Sequence, residues 1–466
     1  MEREPLRTVD VLITNAQIVT LDAEGRRYGS GAIAVDGAEI VAVGEGGEVE
    51  ASFDAELVID ATGKHVIPGF VNTHTHLFQT ALKGLGNDLP LHAWIKNVPA
   101  PMFAAMGHDA LSLAARIGCI DALRSGTTTI LDYVYPTPKH DAYDTIVEAI
   151  AESGIRGLLG RGVADLSSAE GYPVTGYYPP LVEPLDAALE DCERLVEVCA
   201  GTAGGRVVFC LAPPNPRTVS EEAVAAMRDF ALAHGTAVTM HICESPRDDE
   251  ISRSRYGLSA AGWLHEIGLL GPSFIGVHCV NLDDHAIELF AEDRVNVSYN
   301  PVSNMYVGNG IAPVRQLTDA GVRVTLGTDG AAVNNNDMLE SMKVGALLIR
   351  VAAKDAGAIT AEAMLRMASI EGARAVGLGD RIGSIEVGKK ADLVIADLQN
   401  SRSSPYHDDL GSLVFSSNSR VVETVLVDGR VVLRNGELVG VDEQELVMRA
   451  QKVSRDLVAE AWRGIE

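Results

Sequence analysis

Residues 68–84 read PGFVNTHTHLFQTALKG, an apolar, β-prone run that ends in two histidines one residue apart. In a strand, side chains at i and i+2 leave the same face, so His74 and His76 point together past the strand's end. Two imidazoles aimed at one point suit a divalent metal. A bare His-x-His also occurs in ordinary surface and core histidines, so the rest of the chain has to decide. Working outward, short apolar strands alternate with Ala- and Leu-rich helical segments from about residue 68 to 380. The strands are GFVNTHTH, TTTILDYV, RGLLGRGV, RVVFCLAP, AVTMHICE, FIGVHCVN, VNVSYNP and RVTLGTDG. Eight strands with intervening helices predict a (β/α)8 TIM barrel over residues 68–380. The alternative, an open doubly wound sheet, lacks a Gly-x-Gly-x-x-Gly opening any βα turn.

The flanks read differently. Residues 1–67 and 381–440 are short strands with tight turns, including Asp-Gly pairs at Asp36-Gly37 and Asp428-Gly429. Each piece alone has too few strands to bury a face, so the two chain ends are expected to form one small β-sandwich domain. Residues 441–466 predict a terminal amphipathic helix.

Barrel chemistry sits at the C-terminal ends of the strands. Strand 1 ends in His74 and His76, strand 5 in His241, strand 6 in His278 and strand 8 in Asp329. One such histidine alone would read as a satisfied core residue. Four imidazoles and a carboxylate on one rim read as a metal centre. Glu244 follows His241 by three residues, placed to move the protons of an activated water. Its rival reading is a solvated carboxylate of the charged run ESPRDDE, as Asp329 could be a helix N-cap. A two-metal barrel site needs a bridging Lys carbamate or Glu on strand 4, and RVVFCLAP offers neither, which favours a single ion.

Composition bounds the partners. Lys plus Arg is 38 against 64 Asp plus Glu, a net charge of −26. Such a surface repels phosphate backbones and anionic lipids, so no nucleic acid or membrane partner is expected. The N-terminus shows no secretory h-region, and no apolar run reaches bilayer-spanning length. The six cysteines are sparse and lack a Cys-x-x-Cys, which reads as reduced thiols of a cytoplasmic protein.

The ordered set PGFVNTHTHLFQTALKG, HICE, GVHCVN, NPVSNMYVGNGIAPV, GTDGAAVNNND and ASIEGARAVGLGDRIGSIEVGKKADLVIADL resembles the amidohydrolase superfamily. The branch it resembles is the mononuclear one of hydrolytic deaminases and s-triazine hydrolases, over essentially the whole chain, and the resemblance implies that the barrel is distorted. The resemblance implies one divalent transition metal, Zn2+ first and Fe2+ or Co2+ as alternatives, on His74, His76, His241, His278 and Asp329. It implies catalytic roles for Glu244, Asp329 and His278, and a homodimer or homotetramer. Gln79 and Trp94 match positions lining the family's pocket, while Asn304 and Asn334 sit on the rim loops after strands 7 and 8. The implied reaction is release of ammonia or an amine from a small N-heterocyclic substrate. Its rivals are loss of another leaving group (triazine chloride, or a urea or carbamate bond) and a barrel that has become a binding scaffold.

Departures bear on the substrate. Adenosine-type deaminases of this branch carry a histidine in the loop after strand 4, where this chain has LAPPNPRTVS. Asn281 stands where His is common, and Val333 where Ser is usual. The runs SNMYVGNGIAPV and TAGGRV look closer to s-triazine hydrolases. Free bases, pterins, triazines or ureas are therefore expected to outperform adenosine and its thioether derivatives.

Overall fold

The structure is a computed structural model that describes residues 6–168 and 176–463. Eight parallel strands stand side by side in chain order: Phe70–Thr75, Thr127–Val134, Arg156–Arg161, Val207–Leu211, Val238–Ile242, Phe274–His278, Asn296–Tyr299 and Arg323–Leu326. Every residue of strands 1, 2, 3, 6 and 7 is buried. Helices cover the outside and side chains fill the inside, which is why these strands read as near-continuous apolar runs rather than alternating ones.

The ladder runs from strand 1 to strand 8 without pairing the two ends. Side chains carry much of that seam. Thr73 Oγ1 lies 2.8 Å from both Ser298 Oγ and Thr325 Oγ1, and Asp329 N donates to His74 O at 2.9 Å. This is the distortion expected of the barrel. It ties the first ligand strand to the last at the level of the site.

Both chain ends meet in a nine-stranded mixed sheet. Its ladder is continuous, so the small β-domain is one sheet rather than two hydrogen-bonded separately. His65–Pro68 pairs in parallel with Arg7–Val19 on one side and antiparallel with Leu393–Ala396 on the other, which joins the termini. The second hairpin turns at Asp428 and Gly429, φ 54° and 77°, the two positive values that a type I′ turn requires. The first turns at Gly37-Ala38, one residue later than the Asp-Gly pair suggested, because Asp36 pairs with Glu39. Gly69 alone separates His65–Pro68 from barrel strand 1, and a Cβ there would lie 2.2 Å from the Thr128 side chain.

One buried ion cluster locks the barrel to this sheet. The Arg156 guanidinium, at the start of strand 3, donates to Asp392 at 3.0 and 3.1 Å and to Asp428 at 3.1 Å. Arg156 and Asp392 are both almost fully buried. Arg156→Ala strands the Asp392 carboxylate, and breaking a buried pair this way costs about 3–5 kcal/mol. Denaturant unfolding monitored by circular dichroism should show that loss; a change below about 1 kcal/mol, the scale of an exposed pair, would mean the cluster holds nothing together.

The terminal helix, Glu443–Arg463, packs on the helix His108–Arg124, with Leu446 against Leu113 and Ile120 and Arg124 Nε donating to Glu443 at 3.0 Å. Among the described residues no helix is long and apolar enough to cross a membrane.

Candidate active site and metal centre

The four histidines converge at the C-terminal rim of the barrel. Ring centroids of His74 and His76 are 4.8 Å apart, those of His74 and His241 4.9 Å, and those of His241 and His278 5.3 Å. The backbone bends sharply to achieve this. His278, Cys279, Cys243 and Asp329 all have positive φ, 70°, 52°, 51° and 63°. Non-glycine residues adopt this region at a cost, and such strain gathers at sites that the surrounding structure over-determines.

Asp329 closes the set. Its Oδ1 lies 3.3 Å from His74 Nε2 and 3.4 Å from His76 Nε2, and its Oδ2 3.8 Å from His278 Nε2. Donors bound to one ion at about 2.0–2.2 Å stand roughly 3–4.4 Å from one another. The residues therefore fit a transition metal. The chemistry of the donors agrees. His76 Nδ1 faces Tyr133 O at 2.6 Å, His241 Nδ1 faces Pro214 O at 2.8 Å, and His278 Nδ1 faces Asn304 Oδ1 at 2.8 Å. Each acceptor fixes the proton on Nδ1 and leaves the Nε2 lone pair for a metal. Both ring nitrogens of His74 are buried, and Nε2 faces only the Asp329 carboxylate at 3.3 Å, an arrangement that a cation shared by the two would satisfy.

Burial holds His76 down to about 3 and, with the neighbouring imidazoles, keeps His241 well below the usual histidine range. Neutral rings are the ligand form. Burial raises Asp329, but its contact with His74 outweighs that and holds the carboxyl well below its ordinary value. Among the described residues, the His/Cys/Asp/Glu groups spaced to hold a metal are His74 with His76 and His241, and His74 with His278 and Asp329. They share His74 and form one centre. Strand 4, Val207–Leu211, brings no Lys or Glu to it.

Glu244 is 7% exposed and lines the same pocket, so the structure does not leave it as a solvated loop carboxylate. Its Oε1 is 3.6 Å from His278 Nε2. Its backbone is fixed at both ends: its N–H donates to Asp248 Oδ2 at 3.0 Å, and its carbonyl accepts from Asn281 Nδ2 at 2.9 Å. Burial pushes its carboxyl upward, opposed by His278. A raised carboxyl is better matched to taking and returning a proton near neutrality.

Gln79 and Trp94 both line the pocket, and Gln79 Oε1 is buried without a partner. Asn304 and Asn334 are placed elsewhere. Asn304 stands behind His278, its Oδ1 accepting the Nδ1 proton, because the helix Pro301–Tyr306 carries it beneath that ring. Asn334 donates to Thr328 O at 2.9 Å and shapes its own loop. The pocket wall also contains Tyr133, Tyr135, Tyr177 and Arg217, none of which the sequence reading singled out. Arg217 donates to the buried Asp248 at 2.6 Å, so the loop after strand 4 braces the loop that carries Glu244.

The model of the amidohydrolase family matches residues 65–432. The chain belongs to this family. It is 36% identical over 450 residues to a 5-methylthioadenosine/S-adenosylhomocysteine deaminase of Syntrophobacter fumaroxidans, covering 96% of this chain and 98% of that one. An adenosine deaminase of Xanthomonas campestris, solved with bound zinc, superposes with a TM-score of 0.90 at 29% identity, covering 98% and 100% of the two chains. An atrazine chlorohydrolase of Arthrobacter aurescens, solved with zinc, gives 0.87 at 26% identity, covering 95% and 100%. As an amidohydrolase with deaminases among its relatives, the protein is a hydrolase of C–N bonds, which supports the deaminase reading of its motifs.

Proposed function

We propose that this amidohydrolase holds a single zinc ion on His74, His76, His241, His278 and Asp329 and hydrolytically deaminates a compact amino-substituted N-heterocycle. The observation that carries the reading is five converging donors with the Glu244 carboxylate 3.6 Å from one of them. When bound, a divalent ion supplies the Lewis acidity that makes water a nucleophile near neutral pH. Glu244 then accepts a proton from water as oxygen adds to the amino-bearing ring carbon. The same carboxyl returns the proton to the departing nitrogen as the C–N bond breaks. Asp329 stays anionic beside His74 and His278, and serves as the second base. One water is consumed and one ammonia, or amine, is released.

Away from the metal donors and Glu244, the lining sets Leu91, Trp94, Ile95 and three tyrosines beside Gln79, Asn215, Arg217 and Ser303, and the aromatic share supports a flat ring stacked against it. Gln79 is one polar residue of that lining. A second reading, a 5′-substituted adenosine, is favoured by the deaminase relative at 36% identity. The two separate in a panel of adenine, guanine, pterin and aminotriazines against 5′-methylthioadenosine and S-adenosylhomocysteine, followed by ammonia release. The free heterocycles are expected to show the higher kcat/KM; efficient turnover of the nucleosides with the free rings inert would establish the second reading. A chlorotriazine in the same panel tests the other leaving group.

Elemental analysis of metal-loaded protein is expected to find about one equivalent of metal per chain, with zinc, iron and cobalt each tried in reconstitution. A second equivalent held after desalting would contradict the single-ion reading. All six cysteines are free and buried, in keeping with a reducing cytoplasm. A homodimer or homotetramer is expected in light scattering.

A further inference from the structure

Barrel strand 7, Asn296–Tyr299, contributes no metal ligand, yet the segment that follows it touches three of the site's reacting groups. Ser303 Oγ donates to Asp329 Oδ2, and Asn304 Oδ1 accepts from His278 Nδ1 at 2.8 Å. Asn309 Nδ2 donates to Glu244 Oε1 at 2.9 Å. The two asparagines are tied together as well, since Asn309 N donates to Asn304 O at 2.9 Å. The ligand His278 and the carboxyl of Glu244 are therefore referenced to one short piece of backbone. Gly310, at φ 120°, allows the chain to turn back directly after Asn309.

We infer that Asn309 is a positioning residue for the proton transfer at Glu244, a role that rests on the reading of Glu244 as the proton carrier. An amide nitrogen only donates, and it does not titrate. Oε1 therefore serves as an acceptor in both states of the carboxyl, and because a carbonyl oxygen accepts better than a hydroxyl, the contact favours Oε2 as the atom that takes the travelling proton. The contact also keeps Oε1 beside His278 Nε2 rather than free to rotate away. Asn309 is itself neither a metal donor nor a residue of the pocket lining, and its side chain meets the site at Glu244, so its effect reaches the reaction through that carboxyl.

Asn309→Ala, Asn309→Asp and Glu244→Gln are compared as zinc-loaded full-length chains, using the panel compound with the highest kcat/KM, together with crystal structures of the Asn309 variants without substrate. Asn309→Ala is expected to lower kcat about 10- to 100-fold, the contribution of a hydrogen bond to a charged group. Its KM and zinc content should stay within about twofold of the parent, the scale of a change outside the binding groups. Asn309→Asp keeps the shape but sets a carboxylate against Glu244, so it should be slower than the alanine variant, with the Glu244 carboxylate turned away from His278 in its crystal structure. A role in loop shape alone predicts the reverse order, with the isosteric aspartate the faster, and that result overturns the inference. So does unchanged kcat in both Asn309 variants while Glu244→Gln is inactive. Full turnover by Glu244→Gln instead removes the reading of Glu244 on which the inference stands.

Discussion

Glu244→Gln is expected to fold normally, retain its metal and lose about 10²- to 10⁴-fold in kcat, the usual contribution of a positioned general acid–base. The amide matches the carboxylate in size and keeps an acceptor oxygen, so the donation from Asn309 at 2.9 Å can survive. The backbone contacts to Asp248 and Asn281 do not involve the side chain at all. What the amide cannot do is take a proton from water and return it to the leaving nitrogen. Because Glu244 stands outside the donor set, the loss should fall on kcat while metal content is unchanged. Steady-state kinetics with parallel elemental analysis checks both halves. Turnover within a few-fold of the parent would remove the proton-carrier role and leave the water to be activated elsewhere.

His241→Ala should fail in a different way. Its ring stands at the end of strand 5, between His76 and His278, with Nδ1 held by Pro214 O at 2.8 Å. Removing it deletes a donor and leaves that carbonyl without its partner. Loss of a residue that merely orients a ligand typically costs 10- to 100-fold in metal affinity, so loss of the ligand itself should cost at least about 100-fold. The variant is expected to emerge from desalting without metal and without activity. Asn304→Ala provides the graded comparison. It should weaken metal retention about 10- to 100-fold through His278, and activity should return at high metal concentration with KM little changed. A large KM defect at full metal occupancy would place Asn304 against the substrate after all.

The barrel was legible because its strands are short runs bounded by turn residues, and the candidate ligands because they stand at strand ends, where register alone determines direction. His74 and His76 follow from a period of two. His241, His278 and Asp329 follow from where their strands stop. The strand order of the small domain was less legible. Its decisive pairing, His65–Pro68 with Leu393–Ala396, depends on docking against the barrel through Arg156 and Asp392, and no local pattern records that. Tyr133 escaped for a related reason. Strand 2 is buried on both faces, so TTTILDYV has no alternation to mark the residue that looks into the pocket. Asn304 was placed on the rim because it follows strand 7, but an amide's partner depends on the orientation of the helix that carries it. Here that helix, Pro301–Tyr306, turns the side chain toward His278.

The central claim is metal-dependent hydrolysis at an amino-bearing carbon, and isotope incorporation tests it most directly. The panel's best substrate is turned over in ¹⁸O-labelled water by the zinc-reconstituted protein, and product and ammonia are quantified together. The expected product carries a single labelled oxygen in place of the amino group, with one ammonia per product formed and no conversion by metal-free protein. Product without solvent oxygen, product without ammonia, or equal turnover by the metal-free protein would contradict the account.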